Sequence, residues 1–168
     1  MHEKVLTGEN LEKRGFDGPF RCPLCAEDSE NISHLFFNCP FATAVWNEVL
    51  NGWGEDNHVP DNIQDCFLYW DKHYKGELSN KNGVRACWMK LPKLTCWCIW
   101  NERNHRIFQD KFQPAWKIVA KVNALLGEIV SNSKISSNKG NLSANEESWM
   151  QSLNTKAVST VATSKLEK

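Results

Sequence analysis

Apolar residues recur at helical spacing in several blocks, separated by short polar and Gly/Pro-rich stretches. Phe41, Val45 and Val49 stand at i, i+4 and i+8 with Ala44 beside them; Pro40 suits a first helical turn and Gly52 a stop. Ile63, Cys66, Phe67 and Trp70 follow at i, i+3, i+4 and i+7, which predicts an amphipathic helix to about Tyr74. A polar loop, Lys75 to Gly83, leads to a helix-like stretch that meets Pro92, where the proline either kinks the helix or restarts it. From Leu94 to Phe108 one stripe holds Leu94, Trp97, Trp100, Ile107 and Phe108, with Asn104 near its centre. An amide there is expected to bond to backbone within the helix packing, with base reading as the lesser alternative. The last helix starts at Pro114 and presents Ile118, Val119, Val122, Leu125, Leu126 and Ile129 on one face, with Lys117 and Lys121 off it.

The two ends read differently. Leu6 to Arg14 is a short helix capped by Thr7 and ended by Gly15, and Phe16 to Cys25 should be turns with at most a small hairpin. Asn31 and Asn38 flank a further short helix as candidate caps. After Val130 the composition changes: residues 131–168 hold nine Ser, and Trp149 is their one aromatic residue. Such a segment buries too little to offset its chain entropy and reads as a flexible tail. The expected division is 1–52, 53–130 and 131–168: a mainly α domain, its second block packed on the first, followed by a disordered tail.

Composition narrows the classes. The 168 residues carry 20 Lys+Arg against 20 Asp+Glu, which excludes a uniformly basic nucleic-acid coat. Eight Trp and 41% hydrophobic residues argue against wholesale disorder. The longest apolar run, Cys96 to Trp100, is far too short for a membrane span, and the charged N-terminus is no secretory signal. The expectation is a soluble intracellular protein of nucleus or cytoplasm, not secreted, with no membrane partner. Seven cysteines, an odd number, point away from a disulfide framework.

Their spacing says more than their count. Cys22-x2-Cys25-x8-His34-x4-Cys39 offers three thiolates and one imidazole, a common structural zinc set. The C-x2-C turn lets two sulfurs face one ion, and a His on a short helix with a Cys just beyond completes the site. Four protein ligands close the sphere and leave no place for an activated water, so the Zn²⁺ of this N-terminal zinc knuckle is expected to fold the chain and not to catalyse. The competing reading, four unrelated residues in a Cys-rich chain, does not account for this convergence. His58, His73 and His105 lack thiols at ligand spacing, and Cys96-x-Cys98 reads as two buried thiols among tryptophans.

At these residues the chain resembles the zinc-binding domain of plant non-LTR (LINE-type) retrotransposon reverse transcriptases. The resemblance is carried by Leu6-Thr7-Gly8-Glu9-Asn10-Leu11-x-Lys13-Arg14-Gly15 and Cys22-Pro23-Leu24-Cys25. It continues through Glu30, His34-Leu35-Phe36-Phe37-x-Cys39-Pro40-Phe41-Ala42 and Val45-Trp46. Further on, Ile99-Trp100-x-Glu102-Arg103-Asn104-x-x-Ile107-Phe108 is similar to a helical block common downstream of that domain. Asn31 departs from the Ser or Thr frequent there, though asparagine also caps helices. The resemblance implies that Cys22, Cys25, His34 and Cys39 are the metal ligands. It also implies association with RNA or single-stranded DNA. No polymerase Tyr/Phe-x-Asp-Asp sequence and no ribonuclease H carboxylate set is found, so no enzyme and no small-molecule substrate is expected. The chain looks like a detached or degenerate C-terminal piece of a retroelement polyprotein, or a host gene made from one.

Charge is unevenly distributed: residues 1–80 carry a balance of −8, residues 81–121 one of +7 and the remainder +1. Glu27, Asp28 and Glu30 stand beside the cysteine knuckle, where phosphate binding is therefore unfavourable. The candidate nucleic-acid contacts are Arg103, Arg106, Lys111, Lys117 and Lys121, with Glu102 placed to support Arg106 and exposed tryptophans available for stacking. Two readings compete with that one. Trp97 and Trp100 can be core and the cations an ordinary solvated face, or the cations can pair with the acidic half across the fold. The alternative function is a structural or protein-interaction module in which zinc only holds the helices.

Overall fold

A computed structural model of the chain describes residues 5–18, 20–53, 59–72 and 82–136. These residues are mainly helical: α1 (Gly8–Glu12), α2 (Pro40–Gly52), α3 (Ile63–Lys72), α4 (Asn82–Gln109) and α5 (Ala115–Ser136), with a π-helical turn at His34–Asn38 before α2. Among the described residues, β structure is limited to an isolated antiparallel bridge between Arg21 and Ser29.

Helices α4 and α5 form an antiparallel hairpin, closed at one end by residues 110–114 and marked near the other by the Cys87 thiol against the Leu126 carbonyl at 3.7 Å. The predicted stripe of α5 is its packed face: Ile118, Val119, Val122 and Leu126 are buried and Leu125 and Ile129 half-buried. This helix extends to Ser136, past the expected boundary at 131, because polar serines and asparagines continue a helix whose apolar face is already anchored. Residues 137–168, including Trp149, lie outside the described residues, as do His58, His73 and most of the predicted 75–83 loop.

Pro92 does not restart the helix; α4 runs through it for 28 residues. The buried face of α4 also differs from the expected one. It follows Trp88, Leu91, Thr95, Ile99 and Glu102, with Cys98, Trp100 and Arg103 alongside; of the expected stripe Trp100 is buried, Leu94, Trp97 and Phe108 are half-buried and Ile107 is exposed. The aromatic residues had drawn the predicted stripe about one position around the helix. Thr95 keeps its place in this face by donating its hydroxyl to the Leu91 carbonyl at 2.9 Å.

A run of stacked and tilted rings joins the elements. Phe37 stacks on Trp46 (centroids 6.0 Å apart), Trp46 meets Trp70 at 5.5 Å, and Trp70 stacks on Trp88 at 5.4 Å. The Trp46 indole N–H donates to the Phe36 carbonyl at 2.7 Å, so this fully buried ring leaves no orphan donor. The π-helical turn, α2, α3 and α4 thus share one core, and Cys22, Leu24 and Cys39 belong to it.

Candidate metal centre

The first two thiols are set by a tight hairpin. The Cys22 N–H donates to the Asp28 carbonyl at 2.7 Å, and the Glu30 N–H donates to the Phe20 carbonyl at 2.8 Å. Between them the Ala26 N–H closes on the Cys22 carbonyl at 2.7 Å, with Ala26 in the left-handed region at φ 61°. Cys22 and Cys25 therefore lie on the same side of one turn.

The second pair is set by the π-helical turn. Its closing bond runs from the Cys39 N–H to the His34 carbonyl at 2.7 Å, five residues back, and this wider turn brings the ligands of the x4 spacing together. The Asn31 side-chain oxygen accepts the His34 N–H at 2.8 Å and fixes the entry to the turn. Asn38, the other expected cap, is exposed; Cys39 itself occupies the N-cap position of α2. Asn31→Ala is expected to cost about 1 kcal/mol in a denaturant titration of the zinc-loaded protein, the usual size of a lost cap.

Four ligand atoms, from Cys22, Cys25, His34 and Cys39, all lie within 4.8 Å of one another. Cys22 Sγ and Cys39 Sγ are 3.9 Å apart, and Cys25 Sγ and His34 Nε2 are 3.3 Å apart. A tetrahedral zinc with bonds of roughly 2.0–2.3 Å separates its ligands by about 3.3–3.8 Å, so the arrangement fits one such ion. Three of the four residues are buried and Cys25 is half-buried. His34 turns Nε2 into the cluster and Nδ1 toward the Asp28 carboxylate at 3.7 Å, an outer carboxylate of the kind that orients metal-binding imidazoles.

Two of the cluster thiols are shifted in opposite directions. The Cys22 thiol donates to Cys39, which holds Cys39 below the ordinary thiol range, and the Ala42 and Phe41 amides at the start of α2 act in the same direction. Cys22 is correspondingly pushed up, first by that hydrogen bond and then by burial. The remaining thiols differ. Burial raises Cys66 to about 12 and Cys98 to about 11, and also raises Cys87 and Cys96, leaving all four as neutral thiols near pH 7. Zn²⁺ held by the four cluster ligands would offset two of the three thiolate charges and cross-link the hairpin to the start of α2.

Residues 1–46 match the family model described as zinc-binding in reverse transcriptase. The matched stretch contains all four cluster residues, the hairpin, the π-helical turn and the first half of α2. No curated protein and no solved structure matches the chain.

The matched stretch is clasped by the distal half of α4. Arg103 is buried and makes a two-pronged ion pair with buried Glu30: Nε to Oε1 at 2.8 Å and Nη2 to Oε2 at 2.8 Å. Its guanidinium also donates to the Leu6 carbonyl at 3.1 Å and lies over the Trp100 ring at 4.9 Å. The same Glu30 carboxylate accepts the Gly8 N–H at 2.7 Å, so it caps α1 from 22 residues away. Thr7, the expected cap, makes no side-chain cap bond. Gly8 is required at this contact, because a Cβ there would collide with the Phe20 side chain. Asn104 does not bond to backbone as expected; it is half-buried, and its oxygen accepts from Arg103 Nη1 at 3.1 Å.

Arg106 completes the clasp. It pairs with Glu102 at 2.9 Å, as its i+4 spacing predicts, but Glu102 is buried and not on a solvated face. Arg106 Nη1 donates to the Leu24 carbonyl at 2.8 Å and the Pro23 carbonyl at 3.3 Å, the two residues between Cys22 and Cys25. A cation is thereby placed beside a centre that would carry net −1 as three thiolates with Zn²⁺. Of the five candidate nucleic-acid residues, Arg103 and Arg106 are thus engaged inside the fold, whereas Lys111, Lys117 and Lys121 are exposed.

Proposed function

We propose that the chain is a non-catalytic, zinc-stapled module of a plant non-LTR retrotransposon reverse transcriptase, acting inside the cell in association with RNA or single-stranded DNA. The observation that carries the reading is the four-ligand cluster within the stretch matched to a reverse-transcriptase zinc-binding family. A sphere filled by four protein ligands offers no position for an activated water, which supports a structural role for the metal. Exposed Lys111, Lys117 and Lys121 supply cations for phosphate, while the acidic side chains near the knuckle favour contact elsewhere than at the metal.

Anisotropy of labelled RNA and single-stranded DNA across a salt series, with and without chelator, tests the reading. Binding is expected to weaken as salt rises, to fall on chelation, and to be lost in a Lys111→Glu, Lys117→Glu, Lys121→Glu triple variant that still folds. A zinc-loaded, folded chain with no salt-dependent binding to either polymer contradicts it. That result supports the second reading, a protein-interaction module, which the internal neutralisation of Arg103 and Arg106 favours.

A further inference from the structure

The corner between α4 and α5 carries two large rings that neither the core nor the metal cluster uses. Phe112 is 64% exposed and Trp116 58% exposed. The corner is not loose: Glu102 Oε1 accepts the Gln113 N–H at 2.8 Å, and Arg106 Nη2 reaches the Gln113 carbonyl at 3.4 Å. Asp110, in the left-handed region at φ 50°, ends α4 and turns the chain into it. Phe112 lies over the Arg106 guanidinium at 5.4 Å, and that guanidinium also lies over Phe41 at 4.5 Å. Lys117 Nζ stands 5.5 Å from the Trp116 ring centroid.

Cations interleave with these rings: Lys111 precedes Phe112, and Lys117 and Lys121 follow Trp116. All three lysines are exposed, and Asp110 is the one carboxylate between positions 107 and 121. Flat π-faces held in place among cations suit a polyanion with unstacked bases better than an apolar protein surface, which would bring aliphatic side chains and few anions. We infer that Phe112 and Trp116 form a base-stacking platform for single-stranded nucleic acid, with Lys111, Lys117 and Lys121 taking its phosphates. The inference rests on the nucleic-acid reading proposed above and locates its contact. Arg106 links the platform to the metal cluster, because the same guanidinium holds the Pro23 and Leu24 carbonyls.

The test uses the zinc-loaded full chain and labelled oligo-dT and oligo-U of about 20 nucleotides. Phe112→Leu and Trp116→Leu are each expected to weaken binding about tenfold, in the range measured for single base–aromatic stacks, without changing zinc content or melting temperature. Trp116→Phe keeps a flat ring and should retain most of the affinity. Lys111→Gln, Lys117→Gln, Lys121→Gln should instead flatten the dependence of log Kd on log salt by about 2. Oligonucleotide binding that falls in the lysine variant but is untouched by both leucine variants overturns the platform and leaves the nucleic-acid reading standing. Equal losses in Trp116→Leu and Trp116→Phe overturn stacking as the mode. If the unsubstituted chain binds neither oligonucleotide, both the platform and the reading beneath it fall.

Discussion

Cys39→Ser is expected to lose tightly held zinc and to unfold the chain from Val5 to the start of α2. Cys39 is one of four ligands, the N-cap of α2 and a fully buried member of the core, so its replacement acts at three levels at once. Structural zinc contributes about 10–16 kcal/mol of apparent binding free energy at neutral pH. The whole stability of an ordinary domain is only about 5–15 kcal/mol. The described residues before α2 contribute one five-residue helix, an isolated bridge and one turn, so apart from the α4 clasp and the core side chains of the π-helical turn the segment depends on the metal for its shape. Chelation of the unsubstituted protein should therefore reproduce the variant. Metal analysis with circular dichroism and near-ultraviolet melting checks both, and an equally cooperative melt at unchanged temperature after zinc removal contradicts the expectation.

Glu30→Ala carries the second largest effect. The substitution leaves the Arg103 guanidinium buried without its counter-charge and the Gly8 N–H without its acceptor. Breaking one side of a buried ion pair costs about 3–5 kcal/mol, and an orphaned buried amide about 1–3 kcal/mol more. Arg103→Met alone should be similarly damaging, because the Glu30 carboxylate is then stranded. Glu30→Leu combined with Arg103→Met removes both charges and should cost markedly less than the sum of the single changes. A double-mutant cycle in urea measures the coupling, and single variants within about 0.5 kcal/mol of the parent refute the clasp. Reversing the charge of Arg103 and Arg106 would disrupt the fold, so the phosphate contacts are tested on the exposed lysines.

Much of this organisation was legible in the linear sequence, for identifiable reasons. The metal cluster was readable because ligand chemistry is tied to residue type and spacing, and α2 and α5 because their apolar residues repeat cleanly with a proline near each start and, for α2, a glycine at the end. The buried face of α4 was not, because tryptophan carries so much apolar surface that it dominates a stripe even when only half of it is covered. The sequence marks Glu102 only as the i+4 partner of Arg106 and leaves Arg103 between a phosphate contact, a solvated face and a pair with the acidic half. They continue the 88–91–95–99 spacing by three and four residues, but their burial depends on partners 73 and 11 residues distant, Glu30 and Gln113. The opposed charges of the two halves were visible as numbers, though not as the pair Glu30–Arg103 that brings them together. The π-helical turn has no sequence signature beyond the x4 spacing it serves.

One zinc per chain is expected to be held by Cys22, Cys25, His34 and Cys39 in a closed sphere. Zinc X-ray absorption on the purified chain tests it most directly. The expected spectrum shows one zinc per chain with three sulfurs at about 2.3 Å and one nitrogen at about 2.0–2.1 Å. Fewer than three sulfurs, or a solvent oxygen among the ligands, contradicts the closed site and the structural role built on it.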